Sequence, residues 1–288
     1  MHPSFPGGFT VLMAIYGGDD PYKFEEAVDS VFRNTLKPDK FMLVVDGPLT
    51  DTLECSVRRV TDVNGDYIDV VRIKQNIGLA GALNFGIERI VTSWIVRADS
   101  DDINLPNRFF EIAKALQEDP ELALVGSAIL EFDEHNYPML IRHVPLSYDG
   151  IKRYAVRRNP FNHMSVAFKK DVVMGVGGYP NLHLREDYGL WCLLIQKKIK
   201  MANLNSILVH VSAGAGMYQR RGGIRYALEE FKLQKFLIEC DMKSILQGFI
   251  DGSSRAAIFM MPASLRGWFY RKKLRSTFVG SSSSKDSS

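Results

Sequence analysis

Short apolar runs alternate with helical periodicity over the first hundred residues of the chain. Four runs have the length and composition of buried strands, at residues 9–15, 41–47, 67–73 and 94–96. Between them apolar residues recur three and four positions apart, in one segment that Pro21 opens and in another from Leu79 to Ile90. Strands that alternate with helices are typical of a doubly wound, mostly parallel sheet, so we predict an α/β fold.

The second half of the chain has a less regular pattern. It predicts a helix after Pro106, a strand within residues 121–130, and a helix over residues 184–198 with acids in its first turn, where the helix dipole favours them. Helices follow from about Met217. We therefore divide the chain into residues 1–103, 104–216 and 217–279, and we expect the serine-rich residues 280–288 to be disordered.

Composition narrows the class of protein. The 288 residues are 46% hydrophobic, which is ample for a large core, and the formal charge of +3 is too small to indicate nucleic-acid binding. Three widely separated cysteines favour reduced thiols over disulfides or a thiolate metal site. The sequence has neither an apolar run of about 18 residues nor a secretory signal pattern, so we expect a cytoplasmic location.

Polar residues follow the predicted strands at the points where the strands end. They are Tyr16, Asp46, Asn76 and the acids of "RADSDD", residues 97–102. Sheets of this kind bind ligands at the carboxyl ends of their strands. A pair of carboxylates one residue apart suits Mg2+ or Mn2+, which keep open positions for phosphate oxygens. The pattern predicts a metal-diphosphate site, with helix capping as the alternative use of these acids.

Two common nucleotide-binding motifs do not occur where they would be expected. The first strand is followed by "YGGDDPYKF" and not by G-x-G-x-x-G, which argues against a dinucleotide dehydrogenase. The sequence also lacks the G-x-x-x-x-G-K-[ST] loop of the P-loop NTPases. A phosphate would therefore be held by a metal and by side chains.

Five segments, in this order, resemble the family-two glycosyltransferases of the GT-A fold. They are "VLMAIYGGDDPYKFEEAVDSVFRNT", "LVVDGP", "NIGLAGALNFGI", "IVRADSDD" and "REDYGLW". The likeness is greatest to bacterial enzymes that build O-antigen, capsule or exopolysaccharide, and it covers most of the chain from Phe9 to about Tyr226. It implies that residues 1–103 bind a nucleotide sugar and that residues 104–216 hold the acceptor and the catalytic groups.

The resemblance also implies roles for individual positions. Those that match the family's donor-binding residues are Ala14, Ile15, Tyr16, Asp46, Asn76, Gly78, Asn84, Asp99 and Ser100. Asp99 and Asp101 match the D-x-D pair that binds Mn2+ or Mg2+, and His210 matches a histidine that completes the metal shell in some relatives. Asp187 matches the catalytic base, with Glu186 beside it.

These roles together describe an inverting transfer. An acceptor hydroxyl attacks the anomeric carbon from the face opposite the departing nucleoside diphosphate, so a carboxylate must accept its proton. The resemblance implies that a hexose is transferred from a UDP-sugar donor to a lipid-pyrophosphate-linked saccharide acceptor of the undecaprenyl type. Galactose or glucose in β-linkage is the expected sugar.

Several residues allow two interpretations. "GMYQRRGG" places Arg220 and Arg221 on a glycine-framed turn that could clamp the diphosphate of the donor or of the acceptor, or could be a solvated basic turn. His163 could contact a substrate or be a hydrogen-bonded core histidine. His210 could likewise be structural, Asp187 could only stabilise a helix N-terminus, and Asp46 could be an ordinary turn residue.

The segment at residues 259–278 mixes aromatic and apolar residues with five cations and has no acid. This composition favours peripheral attachment to the anionic cytoplasmic face of the inner membrane, with a solvated basic tail as the alternative. Two other functions remain open from the sequence. They are a sugar-1-phosphate nucleotidyltransferase, although the loop after the first strand lacks that class's arginine, and a non-catalytic module that binds nucleotide sugars.

Overall fold

The computed structural model describes residues 3–132, 140–212 and 223–260 of the chain. Its strands form one mixed sheet in the order β3-β2-β1-β4-β8-β6-β9-β5, with β7 paired to β6. The strands are β1 (Phe9–Ile15), β2 (Lys40–Asp46), β3 (Ile68–Ile73), β4 (Trp94–Arg97), β5 (Asp102–Asn104), β6 (Leu124–Phe132), β7 (Leu140–Arg142), β8 (Ala167–Lys169) and β9 (Met201–Ser212).

Helices cover both faces of this sheet. They are α1 (Pro21–Phe32), α2 (Asp51–Asn64), α3 (Leu79–Arg89), α4 (Arg108–Glu118), α5 (Tyr148–Ala155), α6 (Lys170–Met174), α7 (Glu186–Gln196), α8 (Ile224–Glu239) and α9 (Ile245–Met260). One core cluster contains the buried side chains of α1, α2 and α4, and a second contains those of α3, α5 and α7. Each fully buried large apolar side chain contributes roughly 1.5–3 kcal/mol to folding.

The first four strands confirm the predicted doubly wound sheet. β3, β2, β1 and β4 are mutually parallel, and the register places Ile15 opposite Val45 and Asp46 opposite Ile73. The carboxyl ends of β1, β2 and β3 therefore meet at one edge, as the alternating pattern predicted. Pro21 does open α1, and Asp20 accepts hydrogen bonds from the backbone N–H groups of Tyr22 and Lys23 as the N-cap.

The remaining strands were not predicted, apart from part of β6. β9 runs parallel to β6 and antiparallel to β5, and the pairing with β6 shifts register near residues 127–129. Asn203, Asn205 and Ser206 interrupt the apolar pattern of β9, so its sequence lacks the alternation that marks a strand. One continuous sheet joins the predicted halves at residues 1–103 and 104–216 through the antiparallel pair of β4 and β8.

The predicted C-terminal helices are present as a hairpin of α8 and α9. The backbone N–H of Gly223 donates to the carbonyl of Phe259 at 2.9 Å, so the start of α8 lies against the end of α9. The two helices approach closely where α9 has Gly252, because a Cβ there would lie 3.1 Å from the ring of Phe231. The hairpin packs on the rest of the protein through contacts between α7 and α8.

Candidate active site

Asp46 holds the turn that leads into α3. Its Oδ1 accepts a hydrogen bond from the backbone N–H of Ile77 at 2.8 Å, and its Oδ2 accepts one from Gly78 at 2.9 Å. The side chain of Asn76 donates in return to the backbone carbonyl of Asp46 at 3.2 Å. Asp46 is 4% exposed and both of its oxygens are engaged, so the structure supports a positioning role. Contact of these residues with a nucleotide stays a prediction.

The aromatic ring of Tyr16, directly after β1, is exposed at the edge of the sheet where Asp46 also lies. Tyr16 is about half exposed, whereas the side chain of Ile15 lies in the core and that of Ala14 is partly buried. The carboxylate of Asp19 accepts a hydrogen bond from the backbone N–H of Tyr16 at 2.9 Å and fixes the loop. Of the three predicted positions, Tyr16 therefore has the side chain most available to the base of a nucleotide.

Two buried arginines lie behind the acids of the D-x-D segment. Arg97, at the end of β4, forms an ion pair with Asp99 at 2.5 Å, and it donates to the backbone carbonyls of Leu12 and Ala98. Arg108 is fully buried at the start of α4 and donates to the backbone carbonyl of Arg97 at 2.8 Å and to the side chain of Asn104. The acids thus lie against two buried cations, Arg97 and Arg108, whose burial could not be predicted from the sequence.

The carboxylates nevertheless exceed the cations that face them. Burial, together with the charges of Asp101 and Asp99, raises the pKa of Asp19 to about 6, although hydrogen bonds from Tyr16 and Ser100 oppose the shift. Burial and Asp99 raise the pKa of Asp101, and burial with Asp99 and Asp101 raises the pKa of Asp102 well above its ordinary value. A cation among these carboxylates would relieve this repulsion.

The carboxylate oxygens of this segment fit a hard divalent cation in part. Asp102 has a buried Oδ2 without a hydrogen-bond partner among the described residues, and oxygens are the ligands that such a cation prefers. Over residues 3–132, 140–212 and 223–260, no group of three or more His, Cys, Asp or Glu side chains is gathered closely enough to hold a metal alone. Mg2+ commonly takes only one or two carboxylates and completes its shell with substrate phosphates, so the acids suit that mode.

His210 lies on β9 opposite Ile103 of β5, next to the pairing of Asp102 with Val211. Burial lowers the pKa of its imidazole, which favours the neutral ring that a metal ligand requires. The strand pairing that brings His210 near the acids could not be read from the sequence, since neither β5 nor β9 was predicted. Its ligation of a metal stays a prediction.

Asp187 lies in the first turn of α7 and is held by two donors. The side-chain amide of Asn159 donates to Oδ2 at 2.5 Å, and the backbone N–H of Tyr188 donates to Oδ1 at 2.7 Å. The amide oxygen of Asn159 accepts from the backbone N–H of Phe161 at 3.2 Å, which fixes the orientation of the amide. A carboxylate has about four acceptor positions, so Asp187 can still accept a proton from a substrate.

Glu186 is partly buried beside Asp187. Burial, with a smaller effect from the charge of Asp187, raises its pKa to about 6. A carboxyl group with this pKa changes protonation state close to neutral pH, whereas an ordinary glutamate is ionised there. Leu184, two residues earlier, has φ 61°, a left-handed conformation that a leucine adopts rarely and that is common near functional sites.

His163 and Asn84 both contact Tyr179. The Nε2 of His163 is 2.9 Å from the Tyr179 hydroxyl, and burial with the charge of Arg97 lowers the pKa of the imidazole. Asn84 bonds to both the backbone N–H and the carbonyl of Tyr179, at 2.8 and 2.9 Å. Asn84 therefore joins α3 to the Tyr179 loop, and its predicted contact with a donor is not needed to explain its position.

The Tyr179 hydroxyl is surrounded by groups from both halves of the sequence. Burial raises the pKa of this hydroxyl, Arg97 lowers it, and Asp187, Asp99 and Glu186 raise it further, so these four charges lie within electrostatic range of the same buried group. Arg220 and Arg221 lie outside the described residues. Sequence reasoning missed Asn159 and Tyr179 as site residues, although Asn159 stands at the start of the "NPFNHMSVAF" segment.

Comparison with known proteins places this geometry in context. The family model for glycosyl transferase family 2 matches residues 10–177. The chain is 34% identical to the amylovoran biosynthesis glycosyltransferase AmsE of Erwinia amylovora, over 92% of this chain and 98% of that one. It is 36% identical to the UDP-Gal:alpha-D-GlcNAc-diphosphoundecaprenol beta-1,3-galactosyltransferase of Escherichia coli, over 93% of this chain and 96% of that one.

Solved structures agree with the fold at low sequence identity. The mannosyltransferase PcManGT of Pyrobaculum calidifontis, solved with GDP-Man and Mn2+, superposes with a TM-score of 0.62 at 14% identity, over 96% of this chain and 82% of that chain. Residues 1–349 of S. aureus TarS, solved with UDP-GlcNAc, give a TM-score of 0.63 at 13% identity, over 95% of this chain and 76% of that chain. The predicted GT-A architecture is confirmed.

Proposed function

The chain belongs to glycosyl transferase family 2 and is a glycosyltransferase, and from that premise we propose that it transfers a hexose from a UDP-sugar with inversion. We take galactose as the sugar and an undecaprenyl-diphosphate-linked N-acetylglucosamine as the acceptor. The name of the Escherichia coli relative, at 36% identity over nearly the whole chain, supports this choice of donor and acceptor. The family assignment also favours sugar transfer over the nucleotidyltransferase and the non-catalytic module.

The observation that carries the proposal is that two sets of carboxylates, from distant parts of the sequence, lie around the buried Tyr179 hydroxyl. Asp99 lies at the ligand-binding edge of the parallel strands, and Asp187 lies at the start of α7, yet both influence the Tyr179 hydroxyl. Inverting transfer needs a group that binds the diphosphate on one side of the sugar and a base on the other. Asp99 with Asp101, and Asp187, are the candidates for these two roles.

Asp187 is the proposed base. The acceptor oxygen forms a bond to the anomeric carbon while the bond from that carbon to the diphosphate oxygen breaks, and the hydroxyl proton passes to Asp187. Asn159 and the backbone N–H of Tyr188 hold the carboxylate without occupying all of its acceptor positions. The UDP leaves with the electron pair of the broken bond, and no covalent intermediate with the protein is required.

Asp99 and Asp101 are proposed to hold Mn2+ or Mg2+ against the donor's diphosphate. The ion would stabilise the negative charge that develops on the leaving group. Burial, and after it repulsion from neighbouring carboxylates, raises the pKa values of Asp19, Asp101 and Asp102, and a bound cation would offset both effects, which supports a cation at this position. Tyr16 and the turn that Asp46 holds are the proposed neighbours of the nucleoside.

Attachment to the membrane surface is proposed through the C-terminal hairpin and the segment that follows it. The chain's described helices include none long and apolar enough to cross a bilayer. Ile245, Leu246, Phe249 and Ile250 are each more than half exposed on α9. The sequence from Gly252 to Lys285 contains basic residues and no acid, which suits an anionic lipid surface. Residues 261–279, which contain most of these basic residues, lie outside the part of the chain that the structure describes.

A transfer assay tests the proposal. The purified protein is incubated with Mn2+, a synthetic lipid-diphosphate-linked N-acetylglucosamine, and either UDP-galactose or UDP-glucose. We expect a β-linked disaccharide product from UDP-galactose, and a slower reaction or none from UDP-glucose. Absence of transfer from either donor, with UDP still bound, would contradict the proposal, and release of pyrophosphate from UTP and a sugar phosphate would revive the nucleotidyltransferase.

A further inference from the structure

A buried carboxylate lies at the junction between the C-terminal hairpin and α7. The side chain of Glu230, on α8, is fully buried. Its Oε1 accepts hydrogen bonds from Arg255 of α9 at 3.0 Å and from Gln234 at 2.6 Å. Its Oε2 has no hydrogen-bond partner among the described residues and faces the guanidinium of Arg185 at 3.9 Å. A carboxyl group buried this completely needs the cations and hydrogen-bond donors that lie beside it.

Both arginines lead to the segments that hold Asp187. Arg185 is the N-cap residue of α7, two residues before Asp187. Arg255 donates through its other guanidinium nitrogen to the backbone carbonyl of Arg157, two residues before Asn159. Asn159 in turn donates to Asp187 at 2.5 Å. Glu230 thus lies between the helix that carries the carboxylate and the segment that carries its amide partner.

A further bond joins the same two segments. The hydroxyl of Tyr188, the residue after Asp187, donates to the backbone carbonyl of Ala155 at 2.6 Å. The segment at residues 155–159 is therefore fixed to α7 at Ala155 through Tyr188, and to α9 at Arg157 through Arg255. Asn159 can reach Asp187 only while this segment keeps its place against the first turn of α7.

We propose that Arg255 and Glu230 are positioning residues for Asp187, acting through Arg157 and Asn159 on one side and Arg185 on the other. The proposal rests on the role of Asp187 as the base. A misplacement of about 1 Å at a reacting group can reduce a rate on the order of 100-fold, so a hairpin that touches no substrate can still control turnover. Residues 224–260 lie beyond the matched family region, and through this positioning they would contribute to catalysis.

The hairpin offers a matched control. Lys243 is buried and forms an ion pair with Asp251 at 2.7 Å within the hairpin. The Asp251→Asn change weakens this pair but removes neither the bond from Arg255 to Arg157 nor the bond from Arg255 to Glu230. It therefore reports what a loss of hairpin stability does to the enzyme while both bonds of Arg255 remain in place.

The experiment compares Arg255→Gln with Asp251→Asn and the wild type. We expect Arg255→Gln to lower kcat about 10- to 100-fold, while the Kd for UDP changes less than about twofold and the Tm falls no further than in Asp251→Asn. Arg255→Lys should restore part of kcat. Arg255 is partly exposed, so this variant should fold even where Glu230→Gln does not.

A double-mutant cycle separates positioning from stability. If Arg255 acts through Asp187, Arg255→Gln should cause little further loss in an Asp187→Asn background, because coupled groups are non-additive. An unchanged kcat in Arg255→Gln, an equal loss in Asp251→Asn, or full additivity with Asp187→Asn would overturn the proposal. Failure of the proposed function would be seen differently, as absence of transfer by the wild type or full activity of Asp187→Asn alone.

Discussion

The side-chain amide of Asn159 donates a hydrogen bond to the carboxylate of Asp187 across 2.5 Å. These residues are 28 positions apart, and the fold brings them together because β8, α6 and the Tyr179 loop return the chain to the start of α7. The bond restricts rotation of the carboxylate and places one of its oxygens. A carboxylate held in this way would accept a proton without first reorganising.

Loss of the Asn159 amide should slow transfer more than it weakens binding. A hydrogen bond to a charged group is worth about 1.5–3 kcal/mol, so Asn159→Ala is expected to lower kcat about 10- to 100-fold. The KM for the UDP-sugar should stay within about threefold, because Asn159 is proposed to contact the base and not the donor. Steady-state kinetics measure both quantities. A raised KM with an unchanged kcat would mean that Asn159 binds substrate instead.

Removal of the Asp46 carboxylate should disturb the donor site and stability together. Asp46→Ala leaves the N–H groups of Ile77 and Gly78 without their charged acceptor, at a cost of roughly 1.5–3 kcal/mol in unfolding free energy. The turn would then loosen, and we expect weaker UDP binding by calorimetry. Asp39, which accepts from the backbone N–H of Phe9 at the opposite end of β1, supplies a control as Asp39→Ala. That variant should lose stability and keep its affinity for UDP.

The raised pKa of Glu186 predicts a pH-dependent contribution to stability. Its pKa of about 6 exceeds the ordinary value of 4.5, so the folded state binds the proton more tightly than the unfolded state. The contribution to stability is therefore full below pH 4.5 and is lost as the pH rises through about 6. We expect Glu186→Gln to gain on the order of 1 kcal/mol over the wild type at pH 7.5 and nothing at pH 4.5. Denaturant unfolding at both pH values measures the gain, and an equal effect at the two values would contradict it.

The acids of the D-x-D segment should make UDP binding depend on a metal. We expect Mn2+ to increase UDP affinity about tenfold or more in the wild type and to have little effect in Asp101→Ala. Asp66 is an exposed acid in the short 3-10 helix between α2 and β3, and Asp66→Ala should behave as the wild type. Calorimetry with and without Mn2+ distinguishes these results. Binding indifferent to metal in the wild type would mean that the acids serve only to cap and support the loop before α4.

The parallel half of the sheet could be predicted because its signals are local. β1 is apolar apart from Thr10, Pro21 marks the start of α1, and polar residues follow each strand, so the edge where Asp46 and Asp99 lie follows from known rules. Asp187 was also proposed as a candidate base from sequence, through the resemblance of "REDYGLW" to a family motif, and that role stays a prediction.

The partners of these residues could not be predicted in the same way. Asn159 binds Asp187 only because a loop returns to α7, and Arg108 lies behind Asp102 only because α4 packs under the acidic loop. An arginine in an apolar helix segment looks like a surface residue in sequence, whereas Arg108 is fully buried and its pKa is lowered to about 9 by burial. Long-range contacts of this kind leave no periodic pattern to read.

The central claim is that Asp187 accepts the acceptor's proton in a sugar transfer. The most direct measurement is the rate of transfer from UDP-galactose to a lipid-diphosphate-linked N-acetylglucosamine by the wild type and by Asp187→Asn, with UDP affinity determined for both. The asparagine keeps the size of the side chain and cannot accept the proton. We predict that transfer falls by at least about 100-fold while UDP affinity is unchanged. Transfer by Asp187→Asn at the wild-type rate would contradict the account.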